Sequence, residues 1–224
     1  RHKLIDSPGV FIVALDFFDD HALAQYRSYI ECRSIGQDIP SVPENGVMLY
    51  LELASEEDDV LENYLETLLE MFVECQVDEE QIWAADSYEE VDKFKRLRHG
   101  IAEALIHPVV PETLLLDFDT GDCPVSTFLK EIQHIFENLQ QIYGVIAHVR
   151  QNMIHICVQR DEAVIIPLLQ LAADRGGRVG VENGLVKCKN GYVRKAGIVK
   201  QYRNLSVLRE KYDPDNKLNK GNGL

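Results

Sequence analysis

The sequence predicts an α+β fold made of duplicated ferredoxin-like units with antiparallel sheets, and three observations predict it. Short apolar or alternating runs of strand type interleave with segments of helical period. From Thr113 to Val181 these signals follow the order strand-helix-strand-strand-helix-strand. The first half fits the same order less cleanly, because its second strand near Ile35–Ile39 is weak.

Each element has its own signal. Val10–Phe17 is a continuous apolar run of buried-strand type. Asp19 or Asp20 can cap a helix to about Cys32, with Ala22, Leu23, Tyr26 and Ile30 on one face. Val47–Leu53 alternates as a strand. Ser55 with Asp58 has the spacing of a capping box, ahead of a helix carrying Val60, Leu61, Tyr64, Leu65, Leu68, Leu69 and Phe72. Gln81–Ala85 has strand character, and Ser87 with Glu90 forms a second capping box for a linking helix to about Leu105. In the second half, Thr113–Phe118 is a strand and Ser126–Gln141 a helix. Val145–Arg150 and Ile154–Gln159 form a hairpin pair, Asp161–Asp174 is a helix and Arg178–Val181 a last strand. The expected division is a first half at about 8–86, a linking helix at 87–105, a second half at about 110–182 and a tail at 183–224 with a short helix over Asn204–Tyr212.

Composition narrows the function classes. With 224 residues, 46% hydrophobic and 27% charged, the chain can bury a real core. No apolar run reaches membrane-spanning length. Five scattered cysteines without CxxC spacing point to a reducing, cytoplasmic setting rather than a disulfide framework. Arg1-His2-Lys3 reads as a cut from a longer protein. The net charge of −14 is uneven: Ser34–Asp92 holds no Lys or Arg, whereas Arg178–Leu224 has eleven basic and four acidic residues, a balance of +7 that leaves −21 for the rest. Most of this surface repels nucleic acid, and the acidic stretch reads as a solvated face. The basic tail region could draw a small anion or a cofactor phosphate.

Two short segments carry the chemistry. His148 and His155, seven residues apart across a predicted hairpin turn, can meet on one sheet face. Glu182 follows from a glycine-rich turn, Gly176-Gly177-Arg178-Val179-Gly180-Val181-Glu182-Asn183-Gly184. Two imidazoles and a carboxylate are a ligand set that zinc or another divalent metal accepts with a position left open. The plainer alternative is two histidines on a strand face bonded to backbone.

The wider pattern resembles the C-terminal domain of FAD-linked oxidases, the group that includes D-lactate dehydrogenase, the glycolate oxidase flavoprotein subunit and D-2-hydroxyglutarate dehydrogenase. The segments that carry the resemblance are Ala147–His155 (AHVRQNMIH), VENGLV from Val181 and DPDNKLNKG at Asp213–Gly221. Upstream, Phe94-Lys95-Arg96-Leu97-Arg98 is similar to that family's W-x-x-L-R helix, and Cys123-Pro124-Val125-Ser126 to its V-P-L-S helix start. The resemblance implies metal ligands at His148, His155 and Glu182, and a substrate-carboxylate contact at Arg98, whose other reading is a surface ion pair with Glu103 or a neighbour. It implies flavin-facing positions at Asn152 and Met153. The family's catalytic-base histidine falls on Asn183, whose amide cannot accept a proton from substrate at neutral pH.

On that resemblance the chain is the substrate-side domain of a flavin-dependent 2-hydroxyacid dehydrogenase or oxidase. FAD would be held mainly by an N-terminal domain absent from these residues, in the same or a partner chain. The alternative is a catalytically decayed partner or assembly subunit of such an oxidoreductase. A small 2-hydroxyacid is the expected partner. Self-association to a homodimer through an exposed patch at Met153 and Ile154 stays open, as does attachment to a membrane periphery through a partner.

Overall fold

The structure is a computed structural model and describes residues 8–33, 39–107, 112–137, 142–184, 187–215 and 217–218. Its centre is a five-stranded antiparallel sheet. The strands are β1 (Val10–Phe18), β2 (Met48–Ser55), β3 (Thr113–Asp119), β4 (Ile142–His148) and β5 (Met153–Gln159), in the order β2-β1-β4-β5-β3. Seven α-helices accompany it among the described residues: α1 (Asp20–Arg33), α2 (Asp58–Glu74), α3 (Tyr88–Ile106), α4 (Val125–Glu137), α5 (Glu162–Asp174), α6 (Lys187–Lys195) and α7 (Arg203–Tyr212).

Both halves contribute to one continuous sheet. β1 pairs with β4, setting Asp16 opposite His148 and Phe18 opposite Ile146. Alternation along the strands then sorts side chains to two faces. Ala14 and Phe18 of β1, Ile146 of β4 and Cys157 of β5 pack with α1 and α3, through Leu23, Tyr26, Leu97, Ile101 and Leu105. Leu116, Phe118, Val145, Ala147, Ile154 and Ile156 pack on the other face with α4, α5 and α6. Phe128 of α4 is fully buried and its ring centroid lies 5.4 Å from that of Phe118. Truncating such a residue typically costs about 3–5 kcal/mol. Gly144, at a bulge of β4 with φ +151°, lets this layer close: a Cβ there would lie 2.6 Å from Leu105 Cδ2 and 2.9 Å from Ala22 Cα.

Several helix starts follow the sequence. Asp19 Oδ1 accepts from the amide of Ala22 at 2.8 Å and opens α1. Ser87 accepts from Glu90 N and opens α3. Asp161 accepts from Ala163 N and opens α5. The tail helix α7 begins within one residue of its expected start.

Other expectations are corrected. Ser55 does not cap α2; it ends β2, and its hydroxyl donates to the carbonyls of Gly9 and Glu57. The N-cap is Glu57, without a side-chain cap bond. Gln81–Ala85 is no strand: Glu79–Gln81 form a 3-10 turn that Asp78 caps, and extended backbone follows. The last strand, Arg178–Val181, shrinks to a single antiparallel bridge between Phe118 and Val179. Helix α6 was not anticipated, because Lys187–Lys195 holds too few apolar residues to show a helical stripe. The patch at Met153 and Ile154 is not an exposed one, since Ile154 is fully buried in the sheet. Most of the Ile35–Ile39 segment, and the end of the Ser126–Gln141 helix after Glu137, lie outside the described residues. No helix among the described residues is long and apolar enough to cross a membrane.

Candidate metal centre

The hairpin β4–β5 brings the two imidazoles together. Its register opposes His148 to Met153 and Ile146 to His155, so the histidines are diagonal neighbours on the face covered by α1 and α3. Their ring centroids are 5.1 Å apart in an edge-on arrangement. Glu182 arrives from the loop after the Val179 bridge. One ligand atom from each of His148, His155 and Glu182 lies within 4.8 Å of the others.

Two of these three groups, His148 and Glu182, are held from behind. Nδ1 of His148 is 2.8 Å from Oδ1 of Asp16. Asp16 is 1% exposed, and Arg98 donates to its other oxygen. Burial would raise the Asp16 carboxyl, but the bonds and charges of His148 and Arg98 outweigh it and hold the group below its ordinary value. An ionised carboxylate only accepts, so Nδ1 of His148 carries the proton. Carboxylate behind histidine is a recurring support of metal ligands.

His155 is 7% exposed. Burial, then the neighbouring His148, push its pKa below the usual imidazole value against the opposing pull of Glu182 and Asp117. Its Nε2 lies 2.8 Å from Oε2 of Glu182 but is not aligned for a hydrogen bond, so this buried nitrogen has no hydrogen-bond partner. A buried polar atom left so is costly unless something else satisfies it. A cation bound between the nitrogen and the carboxylate would do that, and the donor set suits zinc or a similar divalent ion.

The Glu182 loop hangs from Asp117, which is fully buried on β3. Its Oδ2 accepts from the amides of Glu182 at 2.8 Å and Asn183 at 3.0 Å. Its Oδ1 accepts from Nζ of Lys189 at 2.9 Å. Burial would raise this carboxyl, but the Lys189 charge and the loop amides lower it overall. Gly184 leaves the loop at φ +68°, a conformation that favours glycine.

A small pocket of about 90 Å³ opens beside the cluster, lined by Ala102, Leu105, Ile106, Leu115 and Ile146 together with His148, His155, Glu182 and Asn183. Arg98 does not line it. The guanidinium pairs with Asp16, a buried carboxylate rather than a surface one; Glu103, one of the expected surface partners, accepts from the hydroxyl of Tyr29 at 2.8 Å. Asn183 is exposed at the pocket. Asn152 sits in the hairpin turn at φ +55°, where its carbonyl accepts from Thr120 N, and Met153 is half-buried beside His148. In the tail, Asp213 accepts from the amides of Lys217 and Leu218.

Sequence reasoning missed Asp16, Asp117 and Lys189. The two aspartates had a legible signal: a carboxylate inside an apolar strand run must find donors once buried. Lys189 had none, since its helix was not anticipated. Compared with protein-family models and with curated proteins, the chain matches none.

Proposed function

We propose that this chain is the substrate-side domain of a flavin-dependent 2-hydroxyacid dehydrogenase or oxidase and that His148, His155 and Glu182 hold a divalent metal. The observation that carries the reading is the convergence of three ligand atoms within 4.8 Å, with Asp16 behind His148. Bound there, a metal would act as a Lewis acid toward a substrate oxygen. The chain's own contribution is orientation: Asp16 fixes the His148 tautomer, Asp117 fixes the Glu182 loop, and the apolar lining excludes water from a small substrate. A pocket of about 90 Å³ is far smaller than the roughly 300 Å³ or more of a typical cofactor site, which supports the reading that FAD is held mainly by another domain or chain. The fold is part of the same proposal. The run β3-α4-β4-β5-α5 with Val179 beside β3 follows ferredoxin-like order, and the first half is read as a reduced copy.

Two observations favour the second reading, a non-enzymatic partner or assembly subunit. Asn183 stands where a general base is expected, and Arg98 is engaged by Asp16 rather than free for a substrate carboxylate. The test is turnover of D-lactate, glycolate and D-2-hydroxyglutarate by the full-length protein with an artificial electron acceptor, before and after chelation. Turnover that falls on chelation and returns with zinc supports the oxidoreductase. Zinc binding without turnover supports the partner.

A further inference from the structure

Lys189 lies at the junction between the metal loop and the C-terminal helices. It belongs to α6, is 4% exposed, and carries a charge into a site where few lysines are found. Its Nζ reaches two groups: Oδ1 of Asp117 at 2.9 Å and the carbonyl of Gly184 at 3.4 Å. Asp117 in turn holds the amides of Glu182 and Asn183. The loop bearing the glutamate is thus gripped twice, through its amides by Asp117 and through its carbonyl at Gly184 by Lys189.

Further contacts pin the stem of this loop. Gly180 N donates to the carbonyl of Asp117 at 2.7 Å, and the hydroxyl of Tyr202 donates to the carbonyl of Val179 at 2.8 Å. Asp117 and Lys189 hold the backbone of residues 182–184, and the Glu182 carboxylate lies 2.8 Å from Nε2 of His155. Glu182 itself is exposed, so packing does little to aim its side chain. A carboxylate ligand on an exposed loop loses rotational and backbone freedom when it binds, and a loop ordered beforehand loses less.

We infer that Lys189 and Asp117 are positioning residues that pre-order the Glu182 ligand for the metal, so that α6 sets the affinity of a site it does not touch. The inference rests on the metal reading above and deepens it. Lys189 supplies the counter-charge at Oδ1 of Asp117, while Oδ2 of the same carboxylate accepts from both loop amides. Without the ammonium, a buried carboxylate keeps only neutral donors, and the Gly184 carbonyl loses its partner.

The test uses zinc as the probe and separates the clamp from the metal. In the metal-free unmodified protein, hydrogen exchange at the Glu182 and Asn183 amides should be slowed well below the unstructured rate. Exchange at the unstructured rate would overturn the clamp whatever the metal does, and this readout needs no variant to fold. Lys189→Met should release both amides and weaken zinc about 10–100-fold, the usual cost of losing outer support. In a Glu182→Gln background, titrated at zinc concentrations high enough to load the two remaining imidazoles, the same Lys189→Met change should alter the weak zinc affinity less than about twofold, because the ligand it serves is gone. An equal loss in both backgrounds would mean a general structural role and overturn the inference. No zinc binding by the unmodified protein, with both amides protected, would overturn the metal reading and this inference with it, while leaving the clamp geometry intact.

Discussion

Asp16 accepts from Nδ1 of His148 at 2.8 Å across the β1–β4 pairing that joins the two halves of the sheet. The contact fixes which nitrogen of His148 is free, and it depends on strands more than a hundred residues apart. Asp16→Asn should therefore weaken zinc by about 10–100-fold while the three ligands remain. Competition with a chromophoric chelator measures this. Unchanged affinity would remove Asp16 from the site.

Removing any one ligand should have a larger effect. His148→Ala, His155→Ala and Glu182→Gln each leave two donors, too few for a stable zinc site of the usual kind. Each variant should lose stoichiometric zinc after dialysis, as read by elemental analysis. Retention of one zinc per chain by all three would place the metal elsewhere.

Arg98→Met should act on stability. It leaves Asp16 buried with His148 as its remaining side-chain partner, and breaking a buried pair costs about 3–5 kcal/mol when both members are enclosed. The Arg98 side chain is 23% exposed, so about 2–3 kcal/mol is the expected loss in urea unfolding. A variant of full stability with a raised KM for 2-hydroxyacids would instead return Arg98 to the substrate.

Asp19 sets a pH dependence. It lies behind the amides of Ala22 and Val145, and burial pushes its carboxyl up to about 6 against the lowering effect of those bonds. A folded pKa above the unfolded value means the native state binds the proton more tightly. This contribution to stability is complete below about pH 4 and is lost as pH rises through about 6. Asp19→Asn keeps an acceptor for both amides without the charge. It should match the unmodified protein near pH 4 and exceed it by about 2 kcal/mol at pH 7.5. Denaturant titrations at the two pH values decide the matter, and a variant less stable at pH 7.5 would mean that the helix cap favours the anion.

Asn183→His should raise turnover in the full-length protein. The position faces the pocket beside the three ligands, and a positioned base contributes about 10²–10⁴-fold. The unmodified protein should be slow on D-lactate, glycolate and D-2-hydroxyglutarate, and the isolated 224-residue chain should neither hold FAD tightly nor oxidise them. Full-speed turnover without the substitution would show that the base lies elsewhere.

What the sequence determined by itself was local. Period and capping chemistry marked α1, α3, α5 and the β4–β5 hairpin, because those signals act between residues a few positions apart. Hairpin spacing was also enough to pair His148 with His155, and the glycine-rich turn marked Glu182. The tertiary structure decided the rest. It joined β1 to β4 in one sheet, reduced Arg178–Val181 to one bridge, and folded Lys187–Lys195 into a helix whose lysine reaches the core. Arg98 pairs with Asp16 because a buried carboxylate demands a counter-charge, and only the packing of α3 on the sheet shows which cation is near enough to supply it.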